Sequence, residues 1–168
     1  NSHTEGAYTK ATSNCAHAEG DSSEATGSNS HAEGRSSKAT NSNTHAEGYY
    51  TEASGYQAHA EGNNSKATNE NTHAEGYFTT ASGSSSHAEG YYTEAKGYTS
   101  HAEGYYTIAS GQYQHVQGKN NIEDTENKNR QQWNNHIINS HHHHLSQLIR
   151  CLTQSIPFQI GQTQTKEE

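Results

Sequence analysis

The residues best equipped for chemistry recur on a fixed beat. Histidine stands at positions 3, 17, 31, 45, 59, 73, 87, 101 and 115 of a 168-residue chain. Two residues after each comes glutamate, from Glu5 to Glu103, with Gln117 in the ninth copy, and then glycine, from Gly6 through Gly118. Nine imidazoles and eight carboxylates on one strip admit three readings. An exposed strip is a solvated polar face. A strip facing an assembly axis brings charges together that burial tolerates only when they are paired and hydrogen-bonded. A strip that binds metal uses imidazole with carboxylate, a donor set suited to Zn, Ni or Fe. The metal candidates are His45, Glu47, His59, Glu61, His73 and Glu75. Catalysis is not expected, because a triad needs one distinct preorganised constellation and a uniform repeat supplies no unique nucleophile. No cofactor is expected either.

A second candidate surface is aromatic. Tyr49–Tyr50, Tyr77–Phe78, Tyr91–Tyr92 and Tyr105–Tyr106 follow the repeat glycine. Tyrosine joins an apolar body to a polar tip, so these rings either cover coil edges and neighbouring chains or form a platform for a glycan or another surface ligand.

The elements that must position these residues are set by the period. Six residues after each of the first eight histidines is a hydroxyl, from Thr9 to Thr107; eight after is alanine, from Ala11 to Ala109; ten after is Ser, Gly or Asn. So strict a period is the mark of a repeat architecture. Two short extended runs separated by Gly or Asn make two strands and two tight turns per copy, one coil of a narrow parallel β-solenoid. Side-chain alternation puts His and Glu on one face and the intervening Ala on the other, and pairs the hydroxyl with the later Ala. Both alanine ladders are assigned to the interior. Coils stacked ~4.8 Å apart would give a rod roughly 4 nm long. Seven after His runs Lys10, Glu24, Lys38, Glu52, Lys66, Thr80, Glu94, Ile108. The first five alternate in sign, which copy-on-copy stacking turns into opposite-charge neighbours worth a few tenths of a kcal/mol per pair.

Composition explains why so unusual a fold is needed. Leu, Ile, Val and Phe together number 13 of 168 residues, against 18 Ala and 15 Gly. That is far below the ~20% at which a charged chain is normally disordered, but disorder requires no period. Helical repeats are excluded by the period, collagen by the glycine spacing, and calcium-binding nonapeptide repeats by the presence of only Asp21 and Asp124. Ice binding is disfavoured by the lack of Thr-x-Thr pairing. No apolar run is long enough for a transmembrane helix. Residues 1–118 hold 5 Lys+Arg and 13 Asp+Glu, which argues against nucleic acid and anionic lipid as partners. The absence of an initiator Met and signal peptide suggests a processed or cut-out piece. Cys15 and Cys151 are too few for a disulfide scaffold.

Asn-Ser-His-Ala-Glu-Gly (residues 29–34) and Asn-Thr-His-Ala-Glu-Gly (residues 43–48) resemble the fourteen-residue head repeats of trimeric autotransporter adhesins of the YadA type, over about residues 1–118. His and Glu stand systematically where that family has Val and Ile. The resemblance implies an all-β, left-handed parallel β-roll, a homotrimer of three chains side by side, and an extracellular place on a cell or virion surface. The array ending in Gln112-Tyr113-Gln114-His115-Val116-Gln117-Gly118-Lys119, then Asn121-Ile122-Glu123-Asp124, also resembles tail-appendage proteins of phages and prophages, where it leads into a self-cleaving intramolecular-chaperone domain of the peptidase G2 type. That similarity stops near Lys128, and no protease residue carries over.

Residues 119–168 form a second segment, rich in Asn, Gln and His, read as a largely irregular, low-complexity tail. Ile138, Leu145, Leu148 and Leu152 allow a short helix there, and His141–His144 could bind metal adventitiously. Cys151 beside that stripe is expected to pack rather than react. The function expected from all this is a non-enzymatic structural or adhesive fibre segment, partnered by itself and by a host or cell-surface glycan or protein. The alternative is a fragment of a self-processing phage tail protein. If pairing governs the His/Glu strip, stability should be higher near about pH 6 than near about pH 8; if burial governs, acid should destabilise.

Overall fold

The computed structural model describes residues 1–123. The readings of Ile138, Leu145, Leu148, Leu152, His141–His144 and Cys151 lie outside the described residues.

Each fourteen-residue copy forms one long and one short strand, beginning with β1 (His3–Ala7) and β2 (Lys10–Ala11) and ending with β17 (His115–Lys119) and β18 (Ile122–Glu123). The nine long strands make one parallel sheet in chain order, and the nine short strands make a second. Every residue pairs with its equivalent in the next copy: His45 with His59, Ala46 with Ala60, Glu47 with Glu61. The fold is the parallel β-solenoid that the period requires, and its strands continue past Gly118 to Glu123. The sign-alternating row is in register as well, Lys10 beside Glu24, Glu24 beside Lys38 and Lys38 beside Glu52.

The core is built from small groups. Ala18, Ala32, Ala46, Ala60, Ala74, Ala88, Ala102 and Val116 line the inside of the long strands, and Ala25 through Ala109 line the short ones. The hydroxyl row Ser23, Ser37, Thr51, Ser65, Thr79, Thr93 and Thr107 is buried beside them. A further inward ladder goes beyond the sequence expectation. It is the residue before each histidine from His17 onward: Ala16, Ser30, Thr44, Ala58, Thr72, Ser86, Ser100 and Gln114. Several of these hydroxyls close the preceding turn, as when Ser30 Oγ donates to the Gly27 carbonyl at 2.6 Å and Thr44 Oγ1 to the Asn41 carbonyl at 2.7 Å. With interior room only for such groups, stability comes from coil-to-coil backbone bonds, such as His31 N to Thr44 O at 2.9 Å, and from close alanine packing.

The two turns of each coil are built differently. The glycine after Glu has φ between 100° and 114°, a conformation that glycine adopts without steric cost. The Gly at the later turn does not adopt it. Gly27 stands there for lack of space: a Cβ would lie 1.7 Å from the Asn41 carbonyl oxygen of the next coil. The left-handed residues of that turn come two positions later and are not glycine: Cys15, Asn29, Asn43, Gln57, Asn71, Ser85, Thr99 and Tyr113.

Candidate functional sites

Two ladders of chemistry-bearing side chains run along the solenoid. The first is the His/Glu strip. Because the intervening Ala points inward, each His and the Glu two residues on point outward from the same strand. The exact register then stacks the imidazoles. From His17 to His115, successive rings are parallel within 6°, with centroids 4.6–4.8 Å apart. Only the first pair is tilted, His3 against His17 at 60°. Within each copy from His17 to His87, Nε2 lies 3.5–3.7 Å from the Glu Oε2 of the same strand. That is beyond hydrogen-bond length. The Nε2 atoms of His17, His31, His45, His59, His73, His87 and His101 are shielded from solvent and have no hydrogen-bond partner among the described residues. At the end of the array Glu103 reaches both of its neighbours, His101 at 3.9 Å and His115 at 3.7 Å.

Both His59 and His87 are held below the ordinary histidine range. For each, burial against the neighbouring rings is the larger cause and repulsion from the flanking histidines the next; the attraction of nearby carboxylates opposes both but does not prevail. Of the two cases set out for the strip, burial outweighs pairing at these two positions, because the carboxylate stands too far off to exert its full attraction while the stacked rings exclude water. All six metal candidates, His45, Glu47, His59, Glu61, His73 and Glu75, are brought together on this strip. Each His–Glu–His group drawn from two adjacent coils, such as His45, Glu47 and His59, keeps its ligand atoms within 4.8 Å of one another.

The second ladder is aromatic, and it occupies the turn after the long strand. Tyr49, Tyr77, Tyr91 and Tyr105 end their strands; Tyr50, Phe78, Tyr92 and Tyr106 follow in left-handed conformation, φ 52–54°. Three coils are continuous. Tyr77, Tyr91 and Tyr105 stack at 4.9 and 5.1 Å, Phe78, Tyr92 and Tyr106 at 4.9 Å each, and the two columns meet edge to face. Tyr49 and Tyr50 form a separate pair, because Asn63 and Asn64 occupy the coil between. Arg35 lies over the Tyr49 ring at 5.6 Å and Lys119 over Tyr105 at 5.4 Å, favourable placements for a cation on a π face. Seven of the eight rings are exposed, and Tyr92, in the middle of its column, is half-buried. The hydroxyls of Tyr91 and Tyr92 titrate above the ordinary phenol range, first because neighbouring rings displace water and then because neighbouring phenolates would repel.

No family model, curated protein or solved structure matches the chain.

Proposed function

We propose that this chain is a non-enzymatic structural and adhesive segment of a surface fibre, extracellular on a cell or a virion tail, and that it works as a homotrimer presenting its aromatic ladder to a glycan or protein. The observation that carries this reading is the conformation of Tyr50, Phe78, Tyr92 and Tyr106. All four hold φ above 50°, where a bulky L-residue is strained by roughly 1–2 kcal/mol. The same position is filled by Asn64 and Asn120 in other coils, and Asn tolerates that conformation far better. Aromatic residues therefore stand where local backbone preference opposes them, and strain of this kind collects at functional sites. Three coils of stacked rings, all but Tyr92 exposed, supply an apolar surface with hydroxyl tips on its tyrosines, a chemistry suited to a sugar face. A rigid solenoid is an apt carrier, since its backbone ladders fix the spacing of whatever it displays. Uniform repetition speaks against an enzyme, because each histidine along the strip has nearly the same surroundings as its counterpart in the next coil.

The test joins mass and binding. Sedimentation equilibrium should return three chains per particle. On immobilised surface glycans, the Tyr92→Asn/Tyr106→Asn double variant should lose at least tenfold in affinity while melting no lower than the parent. A variant that melts well below the parent and binds normally would make the rings a packing device and overturn the adhesive reading. A monomeric particle would overturn the trimer.

A further inference from the structure

We infer that the His/Glu strip is a linear track for divalent first-row transition-metal ions, built within a single chain from His–Glu–His groups on adjacent coils. Three observations support it. First, the Nε2 atoms of seven consecutive histidines are shielded and lack a hydrogen-bond donor or acceptor among the described residues, although a buried polar atom is normally satisfied. Second, the Nε2–Oε2 separation of 3.5–3.7 Å, held from His17–Glu19 to His87–Glu89, is too long for a hydrogen bond. It is close to the ~3.4 Å that separates two ligand atoms of a tetrahedral ion with bonds of about 2.1 Å. A cation placed between these two atoms needs little change in their separation, whereas the imidazole of the next coil, stacked 4.6–4.8 Å away by ring centroid, must turn out of the stack to ligate it. Third, the next coil supplies another imidazole to the same group, as in His45–Glu47–His59 and His73–Glu75–His87. The approach of Glu103 to both His101 and His115 shows one carboxylate spanning two coils. Two imidazoles, one carboxylate and an open position for water are a donor set that zinc, cobalt and nickel accept and that calcium and magnesium, which prefer oxygen, do not.

The repeat also sets the stoichiometry. Adjacent groups share a histidine, and a second dication ~5 Å away is repelled. Alternate groups therefore fill: His17–Glu19–His31, His45–Glu47–His59, His73–Glu75–His87 and His101–Glu103–His115, about four ions per chain. The inference concerns one chain and does not depend on the adhesive reading or on the trimer.

The probe is Co²⁺, titrated as the chloride into the full chain and followed by visible absorption, with Zn²⁺ as competitor. The run His141–His144 is replaced by alanine in every sample, because four consecutive histidines can bind metal by themselves. Uptake should saturate near four Co²⁺ per chain, with the intense absorption of tetrahedral cobalt. His45→Gln/His59→Gln/His73→Gln removes the two central groups and should halve the uptake. The two remaining groups, at His17 and His101, then report that the solenoid is still folded. Glu47→Gln/Glu75→Gln leaves every histidine in place and should weaken the same two central ions at least tenfold. Negligible uptake once the four-histidine run is gone, or uptake unchanged by the triple variant, would overturn the inference. So would ions whose binding ignores the glutamate substitutions, since they would be held by imidazole alone.

Discussion

At the scale of single residues, the interior hydroxyls are not equivalent. Ser23, Ser37 and Ser65 each donate to the carbonyl of the repeat glycine in the next coil, Gly34, Gly48 and Gly76, at 3.0–3.1 Å. Thr51, Thr79 and Thr93 occupy the same inward row, and their Oγ1 atoms are buried without a partner among the described residues. Threonine's β-branch restricts its side-chain rotation, so it cannot turn as freely as serine toward the carbonyl. A buried, unsatisfied hydroxyl costs about 1–3 kcal/mol, whereas a made hydrogen bond contributes about 1 kcal/mol net. Thr51→Val/Thr79→Val/Thr93→Val is therefore expected to raise the melting temperature, and Ser37→Ala to lower it by an amount equivalent to about 1 kcal/mol. Urea melts of the two variants beside the parent check the contrast; valine and alanine variants equally destabilised would mean that the threonine hydroxyls are bonded. Volume is as tightly set as polarity. Ala53 is fully enclosed, and Ala53→Leu should cost roughly 1–3 kcal/mol or more, because a packed coil cannot relax around the added carbons. A parental urea midpoint for that variant would place Ala53 outside the core.

At the scale of the coil, the turns carry most of the geometric constraint. Gly76 has φ of 114°, and a Cβ there would lie 2.2 Å from the Gly90 carbonyl oxygen. Gly76→Ala should therefore push neighbouring coils apart, and amide hydrogen exchange should accelerate near residues 76–90 before it does near residue 20. Uniform protection along the array would contradict that. This glycine is readable from the sequence, as are the two alanine ladders, because period-two alternation about His-Ala-Glu and Thr-x-Ala admits one inward assignment. The ladder at Ala16, Ser30, Thr44 and Ala58 escapes such a reading for a physical reason. Its residue type varies, so it shows no fixed letter at period fourteen; the available signal is small size just before each histidine as far as His101, and Gln114 breaks it. The left-handed turn residues escape it because Tyr92, Gln57 and Thr99 are residue types that seldom adopt positive φ. The coil imposes that conformation through bonds such as Tyr92 N to Tyr77 O at 2.8 Å. The His/Glu strip is legible as a strip, but its ring stacking and its Nε2–Oε2 distance are consequences of register that a pattern of letters does not contain.

At the scale of the whole array, a solenoid binds each coil chiefly to its two neighbours, so its stability is a sum of coil and interface contributions. A small perturbation repeated along the strip is thereby multiplied. The histidine ladder provides one. In the metal-free chain, His59 and His87 titrate below the ordinary histidine value, with burial as the first cause and the flanking rings (His45 and His73 for His59, His73 and His101 for His87) as the next. The groups that oppose this are Glu47 and Glu61 at His59 and Glu75 and Glu103 at His87. Unfolded histidine takes up its proton near pH ~6.5. A lowered folded value means that, below that point, the unfolded chain binds more protons than the folded one. Stability is then fully present above about pH 6.5 and is lost as pH falls through the folded value. Melting followed by circular dichroism in the presence of a chelator should show a lower midpoint at about pH 5.5 than at about pH 7.5. His45→Gln/His59→Gln/His73→Gln should flatten that slope, since it removes His59 and one of the rings that flank His87. The opposite profile, a midpoint rising toward pH 6, would mean that cross-pairing of His⁺ with Glu⁻ outweighs burial. That result would require the carboxylates to close on the imidazoles, which the single-chain geometry does not show.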